Sequence, residues 1–270
     1  MAWVKEATGA TGAAATTVTV TVPSGGFPAG HLLVVGAVAV VSGVNNPNLT
    51  VTDSKSNTWV NDRSIAPITG QQTYVIQAST VISTTLNAGD TITVTGAGNT
   101  PNRFAVTVQE FDDTISSKDT GSTNDNGGVS SSSVNSGSFT TANADNLIVN
   151  IVGLVSAART PTAGTNYTLG TKVSSTGGSG DRAVYAQWRY VTATGTFTTS
   201  STLSAGSIYG SLGQGYVINT GGGGGGSRTG KAKVWNGSAW VSHPVKVWNG
   251  SAWVEHPIKG HDGTQWVVGK

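Results

Sequence analysis

The chain has 270 residues, no cysteine and only 10% charged side chains, which excludes a disulfide scaffold, a cysteine metal site and thiol chemistry. Gly, Ser, Thr, Asn and Val dominate while Leu, Glu, Lys and Met are scarce, so an all-β fold is expected. Residues 1–220 carry nine basic and eleven acidic side chains and residues 221–270 six and two; that local excess is too small and dispersed to argue for nucleic-acid binding.

The opening MAWVKEATGATG lacks a basic start followed by an apolar core, so no secretory signal is expected and synthesis is placed in a cytoplasm. Strand-like runs bounded by turn signals follow at Thr16–Val22, Leu32–Val41, Leu49–Thr52, Thr58–Asn61, Thr73–Ala78, Asp90–Val94 and Phe104–Phe111. Thr16–Val22 alternates strictly, as a strand with one wet face should. Leu32–Val41 (LLVVGAVAVV) is the longest apolar run, about half the ~20 residues of a membrane helix, and reads as a buried strand rather than a membrane insertion. Asp112–Gly137, rich in Ser, Asn, Asp and Gly, is expected to be a long surface loop, since neither flank presents enough strands to close a sandwich alone. Further strands are expected at Leu147–Val155, Tyr167–Thr171, Ala183–Val191, Thr194–Thr198 and Leu212–Ile218. Short strands in this number without crossover helices predict one two-sheet, jelly-roll-like sandwich over residues 1–220.

Gly221–Gly226 is an unbroken glycine run, so residues 221–230 read as a flexible linker. Behind it the sequence repeats: Lys233–Val245 is KVWNGSAWVSHPV, Lys246–Ile258 is KVWNGSAWVEHPI, and Lys259–Lys270 (KGHDGTQWVVGK) is a degraded third copy. Asn-Gly between β-prone triplets predicts a two-residue hairpin turn, pairing Trp235 with Ser238, Val234 with Ala239 and Lys233 with Trp240. His243-Pro244 and His256-Pro257 end each unit, because proline removes a ladder donor. Residues 231–270 thus read as an array of short hairpins. One such unit cannot bury its own apolar face, so Trp235, Trp240, Trp248, Trp253 and Trp266 are the candidate assembly and partner-binding residues. A sugar-binding strip of stacked indoles and a small solenoid with tryptophans in its core are the competing readings.

The repeats resemble the C-terminal repeats of minor tail proteins from phages of actinobacteria, in which variants of KVWNGSAWV close the chain after a glycine-rich stretch. The resemblance is carried by Lys233–Trp266 and centres on WNGSAW. It implies a structural virion protein of the tail tip or fibres that works as a homo-oligomer with other tail proteins, for which a trimer is expected. It also implies a position near host recognition; a carbohydrate-binding adhesin that uses the repeat tryptophans or sandwich-end loops on host cell-envelope glycan is the alternative function.

No catalytic residue and no cofactor is expected. His31 is the only imidazole outside the repeats, and no serine sits in a nucleophile elbow to join it in a triad. Glu110, Asp112 and Asp113 could supply a glycosidase carboxylate pair but read as solvated acids at a strand end. Gly225–Ala232 (GGSRTGKA) nearly spells a phosphate loop, yet Ala232 stands where a metal-binding hydroxyl is needed. Asn236-Gly-Ser and Asn249-Gly-Ser fit a glycosylation pattern that the predicted turns already explain. Asp119–Gly127 offers oxygen ligands without calcium-loop spacing and reads as polar loop. Trp59, Tyr74, Trp188 and Tyr190 fall in strands and read as packing residues.

Overall fold

Among the described residues of the computed structural model, regular structure is antiparallel β apart from a 3-10 turn at Asn126–Gly128. The structure describes residues 2–12, 15–41, 49–96, 101–112, 114–176 and 180–219, and then 231–235, 240–244, 246–248, 250–255, 259–261 and 266–268. Residues 1–219 form one unit and residues 220–270 another.

The first half of the larger unit supplies β1 (Trp3–Ala10), β2 (Thr17–Thr21), β3 (Leu32–Val41), β4 (Leu49–Asp53), β5 (Val60–Ile65), β6 (Thr73–Val81), β7 (Thr91–Gly96) and β8 (Pro101–Phe111). They form a larger sheet in the order β1-β8-β3-β6-β5 and a smaller one in the order β2-β7-β4. Alternation in β2 buries Val18 and Val20 while Thr17, Thr19 and Thr21 stay exposed. The two valines meet Leu33, Val35, Ala37, Val106 and Val108 in a core between the sheets. β3 lacks alternation because both of its faces are covered: Leu32, Val34 and Val38 point away from that core into a second one. Threonines cross the outer face of the smaller sheet in rungs, Thr17–Thr95–Thr50 and Thr19–Thr93–Thr52.

The second half repeats this plan. β9 (Ile115–Asn124), β10 (Ser131–Thr140), β11 (Asn146–Leu154), β12 (Pro161–Ala163), β13 (Thr168–Leu169), β14 (Val173–Ser174), β15 (Ala183–Val191), β16 (Thr196–Ser207) and β17 (Tyr209–Ile218) follow in chain order. The larger sheet runs β9-β17-β11-β15, with β13 and β14 both on the far side of β15, and the smaller runs β10-β16-β12. Position by position this is the order of the first half, with β13 and β14 together standing in for β5. The expectation of one sandwich is therefore corrected: each half closes its own. The second has cores of its own around Val134, Tyr185, Leu203 and Tyr209 and around Phe139, Ile148 and Val191.

The two larger sheets pack face to face through the core that holds Leu32, Val75 and Phe111 from the first half and Leu147, Val184 and Tyr216 from the second. Strand registers relate the halves residue by residue. Leu32 lies between Val81 on β6 and Phe111 on β8, and Leu147 lies between Tyr190 on β15 and Tyr216 on β17. The turn residue two places before each is left-handed, Gly30 at φ +89° and Asp145 at φ +50°. Counterparts also touch one another: a Cβ on Gly36 would lie 2.6 Å from Ile151, and one on Gly153 3.2 Å from Val38. A contact between a residue and its own counterpart belongs on a two-fold axis, so the interface is isologous like that of a symmetric dimer.

The predicted loop at Asp112–Gly137 is the second correction, since most of it is β9 and β10. Its backbone is satisfied by ladders to β17 and β16, and its polar side chains are satisfied locally. Asn124 Nδ2 donates to Asn135 Oδ1 (2.8 Å), Ser122 Oγ to the Gly137 carbonyl (2.9 Å), and the Asn135 N–H to Tyr209 Oη (3.2 Å). A strand supplied with such partners needs little apolar surface.

In the smaller unit, β18 (Lys231–Trp235) pairs with β19 (Trp240–Pro244), β20 (Lys246–Trp248) with β21 (Trp253–Glu255), and β22 (Lys259–His261) with β23 (Trp266–Val268). The register differs from the predicted one. Trp235 lies opposite Trp240, Trp248 opposite Trp253 and His261 opposite Trp266, while Lys233 faces Ser242 rather than Trp240. The ladders end at Trp235 and Trp240 and at Trp248 and Trp253, so four residues rather than two separate the paired strands. Residues 221–230 and Asn236–Ala239 lie outside the described residues.

Candidate interaction surfaces

The face-to-face packing of the larger sheets leaves two clefts related by the pseudo-two-fold axis. In one, the indole of Trp3 on β1 stacks on that of Trp188 on β15, with ring centroids 5.5 Å apart and planes 17° from parallel. Phe111 meets Trp188 edge-on at 5.7 Å. The rim is polar and closed: Trp3 Nε1 donates to Gln109 Oε1 (2.8 Å), Gln109 Nε2 donates to Glu6 Oε2 (3.1 Å), and Glu6 also accepts the Thr171 N–H (3.1 Å). These bonds tie the first strand of one sandwich to the second, while Trp3 itself stays 38% exposed.

The other cleft is built from the counterparts. Trp3 pairs with Phe111 across β1 and β8 as Lys118 pairs with Tyr216 across β9 and β17. Trp188 lies opposite Val149 as Ser79 lies opposite Val34. A lysine and a serine thus stand where the first cleft has two indoles, and a groove of about 220 Å³ remains. Leu32, Val60, Val81 and Ile115 line it, and Val60 and Val81 are 46% and 43% exposed. Lys118 Nζ is 2.6 Å from Asp62 Oδ1, and Tyr216 Oη donates to Asp62 Oδ2 at 2.5 Å. Burial, reinforced by the Asp62 charge, pushes the Tyr216 hydroxyl well above its ordinary pKa, so it stays a donor.

No known family, curated protein or solved structure matches this chain.

His31, Glu110 and Asp112 do not line the groove. His31 Nδ1 is 2.8 Å from Glu110 Oε1, and Lys5 Nζ is 3.7 Å from Glu110 Oε2. Glu110 is fully buried, which corrects its reading as a solvated acid; its strand carries it beneath His31 and Lys5. Asp112 is exposed and accepts the Ala2 N–H at 2.6 Å, and Asp113 lies outside the described residues. Asn146 is the counterpart of His31 and likewise has an acid beside it, donating to Asp119 Oδ2 at 3.1 Å. Each pair anchors the start of a central strand.

Within the Asp119–Gly127 segment, Asp119 accepts N–H groups of Thr120 (2.7 Å), Ala142 (2.9 Å) and Asn143 (3.0 Å), and Asp125 accepts those of Thr69 (3.0 Å) and Gly127 (3.1 Å). Both carboxylates anchor strands and turns. Among the described residues no three His, Asp or Glu side chains gather as metal ligands would, and no helix is long and apolar enough to cross a membrane. Desolvation raises the Asp119 pKa, but the N–H donors of Ala142, Thr120 and Asn143 together outweigh it and hold the carboxyl below the ordinary value. A depressed folded pKa contributes stability above the unfolded value, about 3.9, that is lost as pH falls through the folded one. Asp119→Asn is thus expected to lower the urea midpoint at pH 7, with the gap from the unsubstituted protein closing below about pH 4. An equal gap at pH 7 and pH 3 would assign the loss to packing instead.

The strand aromatics take packing roles. Trp59 Nε1 donates to Asp53 Oδ2 (2.7 Å) while its ring packs on the first core, Tyr74 lies inside that core, and Trp188 and Tyr190 join the shared one. The proposed assembly tryptophans lie in the smaller unit, where register opposes Trp235 to Trp240 and Trp248 to Trp253, and Trp266 to His261.

Proposed function

We propose that this chain is a non-enzymatic structural protein of a bacteriophage tail, a minor tail or fibre component that joins the virion as a homo-oligomer through its C-terminal hairpins. The observation that carries the reading is the repeat: three two-stranded sheets recur at a thirteen-residue interval, with Trp235, Trp248 and His261 in matching register. Isolated two-stranded hairpins are marginal in water, so such an array gains stability by packing against something else. The strand order β1-β8-β3-β6 over β2-β7-β4, repeated in the second half, supports a jelly-roll-like body in which the fifth strand joins the larger sheet. Deletion of residues 221–270 is expected to reduce the mass measured by light scattering from a multiple of the chain, three copies in our assignment, to a single copy. An unchanged oligomer would remove the assembly role.

A further inference from the structure

We infer that the groove beside Lys118 and Ser79 is a docking slot for a tryptophan side chain, supplied by a C-terminal repeat of a neighbouring copy of this chain. The inference rests on the assembly reading above and adds the surface that receives the repeat. The groove and the Trp3–Trp188 cleft are two instances of one architecture, because the registers make Lys118 the counterpart of Trp3, Ser79 of Trp188 and Tyr216 of Phe111. In the first instance the fold receives indoles there, one stacked on the other with a phenyl edge against the inner ring. In the second the strand register is kept and the indoles are gone.

The groove's dimensions and chemistry fit that occupant. At about 220 Å³ it falls below the roughly 300–1,000 Å³ of pockets for drug-sized ligands, and suits a single ring. Leu32, Val60, Val81 and Ile115 offer apolar walls, and Lys118 stands at its edge, where an ammonium can lie over an indole face. Val60 and Val81 are two of the five large apolar side chains exposed among the described residues, and both lie on this one rim. The donor follows from the tryptophan inventory. Trp3 and Trp188 occupy the first cleft and Trp59 is held by Asp53; the remaining five of eight all lie in the repeats.

The test uses the full-length chain and light scattering across a concentration series. Val81→Asp places a carboxylate on the exposed rim, and Ser79→Trp rebuilds in the groove an indole like that of Trp188. Each is expected to weaken self-association by about tenfold or more, as loss of a buried aromatic anchor does. The quadruple change of Trp235, Trp240, Trp248 and Trp253 to alanine should do the same, and combining it with Val81→Asp should add little. Val129→Asp, at an exposed residue outside the groove, is the control and should associate normally. Far-UV circular dichroism confirms folding, and either groove variant alone suffices if the other fails to fold. Folded Val81→Asp or Ser79→Trp protein that associates like the unsubstituted chain overturns the groove assignment. If deletion of residues 221–270 still abolishes association, the assembly reading stands while the slot falls; if deletion changes nothing, both fall.

Discussion

Trp188→Ala is expected to destabilise the larger unit by about 3–5 kcal/mol, the range for removing a large aromatic side chain from a core. Trp188 is 4% exposed and belongs to the core shared by both sandwiches, where it meets Trp3 face on and Phe111 edge on. Ring pairs of this kind add about 0.5–1.5 kcal/mol beyond the area they bury. The loss should be felt by both halves, because the shared core also holds Leu32, Val34 and Val75 of the first. Urea unfolding followed by far-UV circular dichroism should shift as one transition to a lower midpoint. A loss below about 1 kcal/mol would mean that the cleft closes over the missing ring. A second transition that leaves the first half folded would mean that the sandwiches are energetically separate.

The strands that were legible in the sequence are those whose surroundings write a period into the chain. β2 alternates because only one of its faces is buried, and β3 is continuously apolar because it is covered on both faces; β15 is buried along most of its length but keeps Gln187 and Arg189 in its run. β9 and β10 carry no such mark. Their own residues are mostly polar, their buried positions include Ser136, and hydroxyl-to-hydroxyl contacts such as Ser138 with Thr198 (2.8 Å) replace apolar packing on the outer face. Composition alone makes that pattern indistinguishable from a loop. β1 was also missed; WVKEATGA shows no clean alternation, and its strand is specified by pairing with β8 at the far end of the first half.

The duplication had one local trace, Ala29-Gly30-His31-Leu32-Leu33 against Ala144-Asp145-Asn146-Leu147-Ile148. Both segments place a left-handed residue before a central strand, and glycine and aspartate satisfy that requirement with different chemistry. Elsewhere the halves keep burial but change side chains, as Phe111 and Tyr216 or Trp188 and Ser79 do, so likeness survives in register more than in residue identity. The clefts were illegible for the same reason, since Trp3 and Trp188 meet only once the two larger sheets are packed. In the C-terminal repeats the thirteen-residue interval is plain, but Asn-Gly turn preference points to a two-residue connection where the ladders leave four residues between Trp235 and Trp240.

Gly153→Ala tests the pseudo-two-fold interface where backbone approach is closest. In an ordinary strand, alanine for glycine stabilises by about 0.5–1 kcal/mol, because glycine has more freedom to lose. Here the added methyl would lie 2.4 Å from Val75 Cγ2, 3.1 Å from Val75 Cγ1 and 3.2 Å from Val38 Cγ2, so strain decides the sign. A loss of about 1–3 kcal/mol is expected, as for overpacking of a filled core. Its source can be isolated, since Val75→Ala removes the two nearest atoms. The double variant Gly153→Ala, Val75→Ala should be more stable than the sum of the single losses predicts, with a coupling of about 0.5–3 kcal/mol, whereas sites without contact add. The same reasoning applies at Gly36, whose added Cβ would lie 2.6 Å from Ile151 Cγ2 and 2.7 Å from its Cδ1. Additive losses in urea unfolding would show that the sheets can part at this point, and the exact face-to-face contact would then contribute little to stability. Strong coupling would make these two glycines the reason the duplicated sheets can approach closely enough to share a core.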